Sequence, residues 1–212
     1  MSLVKTIVSK TCMTGAVLLL ALGGRASHAQ TLPSCPRGQY LAGPNQYGGY
    51  QCTPCPAGSY STGGQVMACT PCMAGTYQPM TGAPSCFEAA TGYHVPTTGA
   101  TAPTPCMPGT YAPGPALINC LAAAPGYFVG GQGGSSQTPC AAGTYTPTSG
   151  SAGCWPAAAG SYVPSTGASA QTLCPIGTYS SSIGSTACTP CPTGLTSPAG
   201  STSSSACVKK LK

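Results

Sequence analysis

An all-β fold, irregular in detail and built from tandem disulfide-braced hairpins, is what this sequence predicts. Three observations predict it: glycines in a strict register, cysteines that come and go in pairs, and very few large aliphatic side chains. Glycine stands at Gly58, Gly75, Gly92, Gly109, Gly126, Gly143, Gly160, Gly177 and Gly194, each seventeen residues after the last. A period that strict marks a repeat array, in which each unit is one supersecondary element. The expected architecture is an elongated rod of ten hairpins, the first being "CPRGQYLAGPNQYGGYQC" around Gly38 with three extra residues.

Within a unit the elements follow from local chemistry. An aromatic follows most repeat glycines closely: Tyr60, Tyr77, Tyr93, Tyr111, Tyr127, Tyr145, Tyr162 and Tyr179. A second glycine stands seven residues after the first in six units (Gly82, Gly99, Gly133, Gly150, Gly167, Gly184), and a proline four after it in an overlapping six. Proline presets φ and glycine accepts positive φ, so this segment is the turn. The returning limb ends in Thr-Pro-Cys at most junctions, as in Thr70-Pro71-Cys72. A residue before proline is driven to extended geometry. The mature chain carries no helical periodicity.

The cysteines occupy two slots, three before and eleven after the repeat glycine. Five units fill both: Cys55/Cys69, Cys72/Cys86, Cys106/Cys120, Cys140/Cys154 and Cys174/Cys188. Three fill neither, holding Ala89/Pro103, Ala123/Gln137 and Ala157/Gln171 instead. The end units keep pairs at wider spacing, Cys35/Cys52 and Cys191/Cys207. No unit fills one slot alone. A bond between units would strand a thiol wherever a neighbour lacks cysteine, so the pattern predicts seven bridges within units, each worth about 3 kcal/mol. The C-x-x-C strings, such as Cys69-Thr-Pro-Cys72, are then junctions between units rather than redox or zinc motifs.

The ends of the chain read differently. Lys5 and Lys10 precede the apolar run Ala16–Leu22, and Ser27-x-Ala29 closes it, the pattern of a secretory signal peptide over 1–29 with cleavage after Ala29. The run is about half the length that crosses a bilayer, which sets aside a retained transmembrane anchor. Export makes disulfides the default state of the fourteen remaining cysteines. Repeats fill 30–207, and 208–212 is a basic tail, expected to be frayed. In the mature chain Arg37, Lys209, Lys210 and Lys212 stand against Glu88, a net charge of +3. No basic stripe exists to follow a phosphate backbone, so nucleic acid is not an expected partner. With little Leu, Ile, Val or Phe, cross-links must take the place of a hydrophobic core.

Units such as "CPAGSYSTGGQVMACTPCMAGTY" and "CPIGTYSSSIGSTACTPCPTG" resemble the ephrin type-A/B receptor-like cysteine-rich repeat, of form C-x-x-G-[TS]-Y…C-x-x-C-x-x-G. The resemblance implies an extracellular spacer, stalk or contact platform. It carries over no ephrin binding, because neither a kinase nor a separate ligand-binding domain is present. The cysteine-free units are similar to those of bacterial secreted surface repeat proteins.

Three functional classes follow. An enzyme is not expected: Glu88 and His94 are the only mature acid and histidine, and no triad, carboxylate pair, metal site or cofactor site can be assembled from them. A self-assembling structural protein at the cell surface is the preferred reading. A surface this poor in charge does little to keep copies apart. The alanine-rich openings of the cysteine-free units (Ala89, Ala90, Ala123, Ala124, Ala157, Ala158, Ala159) are the candidate subunit contacts, with homo-oligomeric filaments expected from head-to-tail contact. The alternative is an adhesion or ligand-binding module whose recurrent tyrosines meet a glycan or a surface protein. Against it, each tyrosine is expected to pack as its own unit's small core.

Overall fold

The structure, a computed structural model, describes residues 32–210. The segment read as a signal peptide lies outside the described residues. The chain from Leu32 on forms a compact unit, and its described residues hold ten two-stranded antiparallel sheets, each a hairpin between neighbours in the sequence. The first pairs Gln39–Ala42 with Gln51–Pro54. The other nine have strands of two residues, such as Thr76–Tyr77 with Phe87–Glu88 and Ser161–Tyr162 with Thr172–Leu173. One short 3-10 turn, Ser204–Ala206, is the sole exception to an all-β chain among the described residues.

Each hairpin is set by the turn at its repeat glycine. In Met73-Ala74-Gly75-Thr76, Gly75 has φ +88°, the positive value a type II turn needs at its third position. The Thr76 N–H donates to the Met73 carbonyl at 3.0 Å, and the Thr76 hydroxyl donates to the same oxygen at 2.8 Å. Thr110, Thr144, Thr178 and Ser59 repeat that hydroxyl bond. A residue with a β-hydroxyl after the glycine therefore ties the turn twice.

Two-residue strands cannot stand alone, and stacking supplies what they lack. The Gly58 N–H donates to the Gln78 carbonyl at 2.7 Å and the Ser61 N–H to Ala83 at 3.2 Å, both in the next unit. Gly82 returns a bond to the Cys55 carbonyl at 2.7 Å. The same three bonds recur unit after unit with little change. Each unit also meets the one beyond its neighbour. A Cβ built on Gly58 would collide with the Gly99 carbonyl, and one on Gly92 with that of Gly133. At these positions glycine is demanded twice, by φ and by the approaching backbone.

The interior is two narrow files of residues. One is the slot three after the repeat glycine, with Leu41, Ser61, Gln78, Val95, Ala112, Val129, Thr146, Val163, Ser180 and Ser197 all buried. Its polar members are satisfied locally: Gln78 Nε2 donates to Ser85 O at 2.7 Å, and Ser180 Oγ donates to Ser185 Oγ at 2.6 Å. Among the described residues no buried side-chain nitrogen or oxygen is left without a partner. A core this polar survives because the unmade hydrogen bond, not polarity itself, is the costly item. The repeat tyrosines lie outside these files, half-buried except for the exposed Tyr93, so the innermost seat of each unit is not the aromatic one that the sequence pointed to.

Candidate functional site

The second buried file is the slot three before the repeat glycine. Cys55, Cys72, Cys106, Cys140 and Cys174 have no exposed surface there. Each is bonded to the half-buried cysteine fourteen residues on: Cys69, Cys86, Cys120, Cys154 and Cys188. The end bridges are Cys35–Cys52 and Cys191–Cys207. Cα–Cα distances run from 5.4 to 5.8 Å, the ordinary span of a disulfide. Every bridge closes one hairpin.

The cysteine-free units keep the seat and change the brace. Ala89, Ala123 and Ala157 are as fully buried as the cysteines they replace. They face the chain's own interior and offer nothing to a second copy, which corrects their expected place among the subunit contacts. Of the same set, Ala90 and Ala158 are exposed and Ala124 and Ala159 half-buried. In the partner slot, Gln137 Oε1 accepts the Ala124 N–H at 2.7 Å, and Gln171 Oε1 accepts the Ala158 N–H at 2.7 Å. A glutamine thus spans the two limbs that a disulfide spans elsewhere. Sequence reasoning noted Gln137 and Gln171 only as lost cysteines. The signal was their recurrence thirty-four residues apart beside a buried alanine.

The outward face is apolar at regular places. Phe87, Leu121 and Trp155 each follow a closing cysteine, are about half exposed, and lie thirty-four residues apart. Phe87 packs against Tyr77 at 6.0 Å between ring centres, and Trp155 meets Tyr145 edge-on at 6.2 Å. Met73 and Met107 repeat at the same interval and are more exposed still. Glu88 sits exposed on its strand opposite Thr76. His94 lies half-buried in the neighbouring unit, with Nδ1 3.1 Å from Cys120 Sγ.

The C-terminal end differs from the rest of the stack. Among the described residues no atom lies within reach of a Cβ built on Gly194, and Gly177 meets only the Thr196 hydroxyl, whereas earlier repeat glycines abut a carbonyl two units on. Val208–Lys209 pairs with Leu195–Thr196, so the last hairpin continues past Cys207 and a frayed tail begins no earlier than Lys210. Ile176, Pro198, Ala199 and Val208 line an apolar cleft of about 460 Å³ there, with Lys209 and Lys210 at its edge.

Residues 160–207 carry C-x-x-Gly turns at Gly177 and Gly194, a hydroxyl after Gly177 and the bridges Cys174–Cys188 and Cys191–Cys207. They match the family described as tyrosine-protein kinase ephrin type A/B receptor-like. The similarity is to an ephrin-receptor-like cysteine-rich repeat and covers residues 160–207. The ephrin-receptor-like segment spans the last three units, two of them disulfide-bonded and the first braced by Gln171. No curated protein matches the chain. Many disulfides and a module of extracellular type point to an extracellular setting, and among the described residues no helix is long and apolar enough to cross a membrane.

Proposed function

We propose that the protein is a secreted structural repeat protein that extends its own stack head to tail, building an extracellular fibre, sheath or stalk. The observation that carries this reading is the ladder of backbone bonds that recurs between successive units, Gly58 to Gln78 and Gly75 to Val95 in one direction and Gly82 to Cys55 and Gly99 to Cys72 in the other. A stack held by repeated backbone bonds has no intrinsic stopping point, and a heterologous contact that does not close gives an open filament. The low charge of the units adds little repulsion.

The test is light scattering and negative-stain microscopy of the oxidised chain over a concentration series. Concentration-dependent filaments are expected, and Ala199→Arg, which places a charge on the exposed lip of the cleft, is expected to stop them while leaving the monomer folded. Monomers alone at the highest soluble concentration would overturn the reading. A second reading, an adhesion module, is favoured by the half-exposed Phe87 and Trp155 backed by tyrosines. It predicts that F87S/W155S abolishes attachment to a glycan or protein surface without touching assembly.

A further inference from the structure

One seat in the array is chemically unlike its counterparts. The residue two after the repeat glycine faces the closing cysteine of the next unit. Tyr40 and Cys69 line one cleft, Tyr60 and Cys86 another, and His94 reaches Cys120. By the same register Phe128 corresponds to Cys154 and Tyr162 to Cys188. His94 alone brings an ionisable nitrogen to a bridge. Its ring nitrogen, Cys106 Sγ and Cys120 Sγ all lie within 4.8 Å of one another.

We propose that Cys106–Cys120 is the array's thiol-exchange site, a bridge that small thiols open in preference to the four others built on a fully buried opening cysteine, with His94 as its proton carrier. Cys120 is half-buried and Cys106 fully buried, so an incoming thiolate reaches only Cys120 Sγ. Attack there forms a mixed disulfide on Cys120 and breaks the bond to Cys106, whose sulfur takes the electron pair. A buried thiolate in apolar surroundings is a poor leaving group, and this penalty protects the bridges at Cys72, Cys140 and Cys174. At this bridge His94 Nδ1 lies 3.1 Å from the attacked sulfur and within 4.8 Å of Cys106 Sγ, so it takes up the proton the incoming thiol sheds and passes it to the departing sulfur, which removes the penalty. With a dithiol reagent, its second sulfur then displaces Cys120 and closes the reagent into a cyclic disulfide. One S–S bond is broken and one made, the reagent loses two electrons, and its two protons end on Cys106 and Cys120. The chemical class of the ligand is a low-molecular-weight thiol.

The experiment treats the intact oxidised chain with dithiothreitol for increasing times, alkylates free thiols and maps them by mass spectrometry. Cys106 and Cys120 are expected to be labelled about tenfold faster than Cys140 and Cys154, the equivalent bridge with Phe128 in the seat. With glutathione in place of the dithiol, the adduct is expected on Cys120 and not on Cys106. His94→Phe, which copies the Phe128 seat, is expected to bring the opening rate down to that of Cys140–Cys154. His94→Tyr, which copies Tyr162, serves in the same way if the phenylalanine variant folds poorly. Equal opening rates for the two bridges, or a rate unchanged in both variants, would overturn the proposal.

Discussion

The unit around Gly143 and the unit around Gly160 are neighbours with the same turn, the same ladder and different braces. In the first, Cys140 fills the buried seat and is bonded to Cys154. In the second, Ala157 fills that seat with equal burial, and Gln171 closes the hairpin through the Ala158 N–H. Both units donate from their repeat glycine to the unit ahead at 2.8 Å, Gly143 to Val163 and Gly160 to Ser180. The seat and the bond are therefore separable. The seat asks for a small side chain that lets limbs approach, and the bond only has to hold the limbs together. A covalent tie restricts the unfolded chain, whereas an amide clamp stabilises the folded hairpin alone.

The largest effect that separates the two comes from exchanging the braces. C140A/C154A should cost about 3 kcal/mol, read as lost hydrogen-exchange protection in the unit around Gly143 and its neighbours. C140A/C154Q should recover about 1 kcal/mol of that, because Ala141 occupies the position from which Ala158 donates to Gln171. If the glutamine recovers nothing, the clamp depends on more than the two slots and the units are not interchangeable.

In the reverse direction, Gln171→Ala removes the clamp from the unit that has no disulfide. It leaves the Ala158 N–H without its acceptor, a loss of about 1 kcal/mol. The same measurement checks it, with protection falling around Gly160 and holding around Gly143. A uniform fall across the array would instead mean that the stack melts as one body.

How much of this was legible in the sequence depends on whether a feature is written in residue types or in partners. The seventeen-residue register, the ten hairpins and the turn at a unit's second glycine, as at Gly82 and Gly99, are residue-type features, since glycine is the residue that takes positive φ most readily; the tight turn at the repeat glycine itself was not among them. The stacking bonds were not legible, because backbone groups look alike in every residue. The alanine seats misled for a related reason. Small side chains in a row suit a contact with a second chain and suit a buried seat equally well, and Ala123 shows its burial only once its N–H is seen donating to the Gly109 carbonyl at 2.9 Å. The tyrosines failed similarly: an aromatic is the largest apolar group in each unit, yet a stack this tight has room inside only for residues such as Ala112, Val163 and Ser180. Polar residues can take that file because their bonds are made within the unit or, for Ser197 to the Thr178 carbonyl, with the unit before it, which no composition count reveals.

The smallest predicted effect lies where one unit breaks the glycine rule. Ala116 stands in the slot that Gly99 and Gly133 fill on either side and has φ +56°, the one non-glycine with positive φ among the described residues. Its N–H still donates to Ala89 at 2.8 Å, and its carbonyl still abuts Gly75, so the backbone keeps the form of its counterparts and the Cβ bears the strain. A left-handed L-residue costs ~1–2 kcal/mol, and glycine gives back ~0.5–1 kcal/mol of that through its freer unfolded chain. Ala116→Gly should therefore stabilise the array by ~0.5 kcal/mol, seen as a small upward shift of the urea midpoint with an unchanged slope. A loss of stability would mean that the Ala116 methyl packs usefully against the neighbouring unit, and that the glycine at this slot elsewhere serves the close approach more than the dihedral.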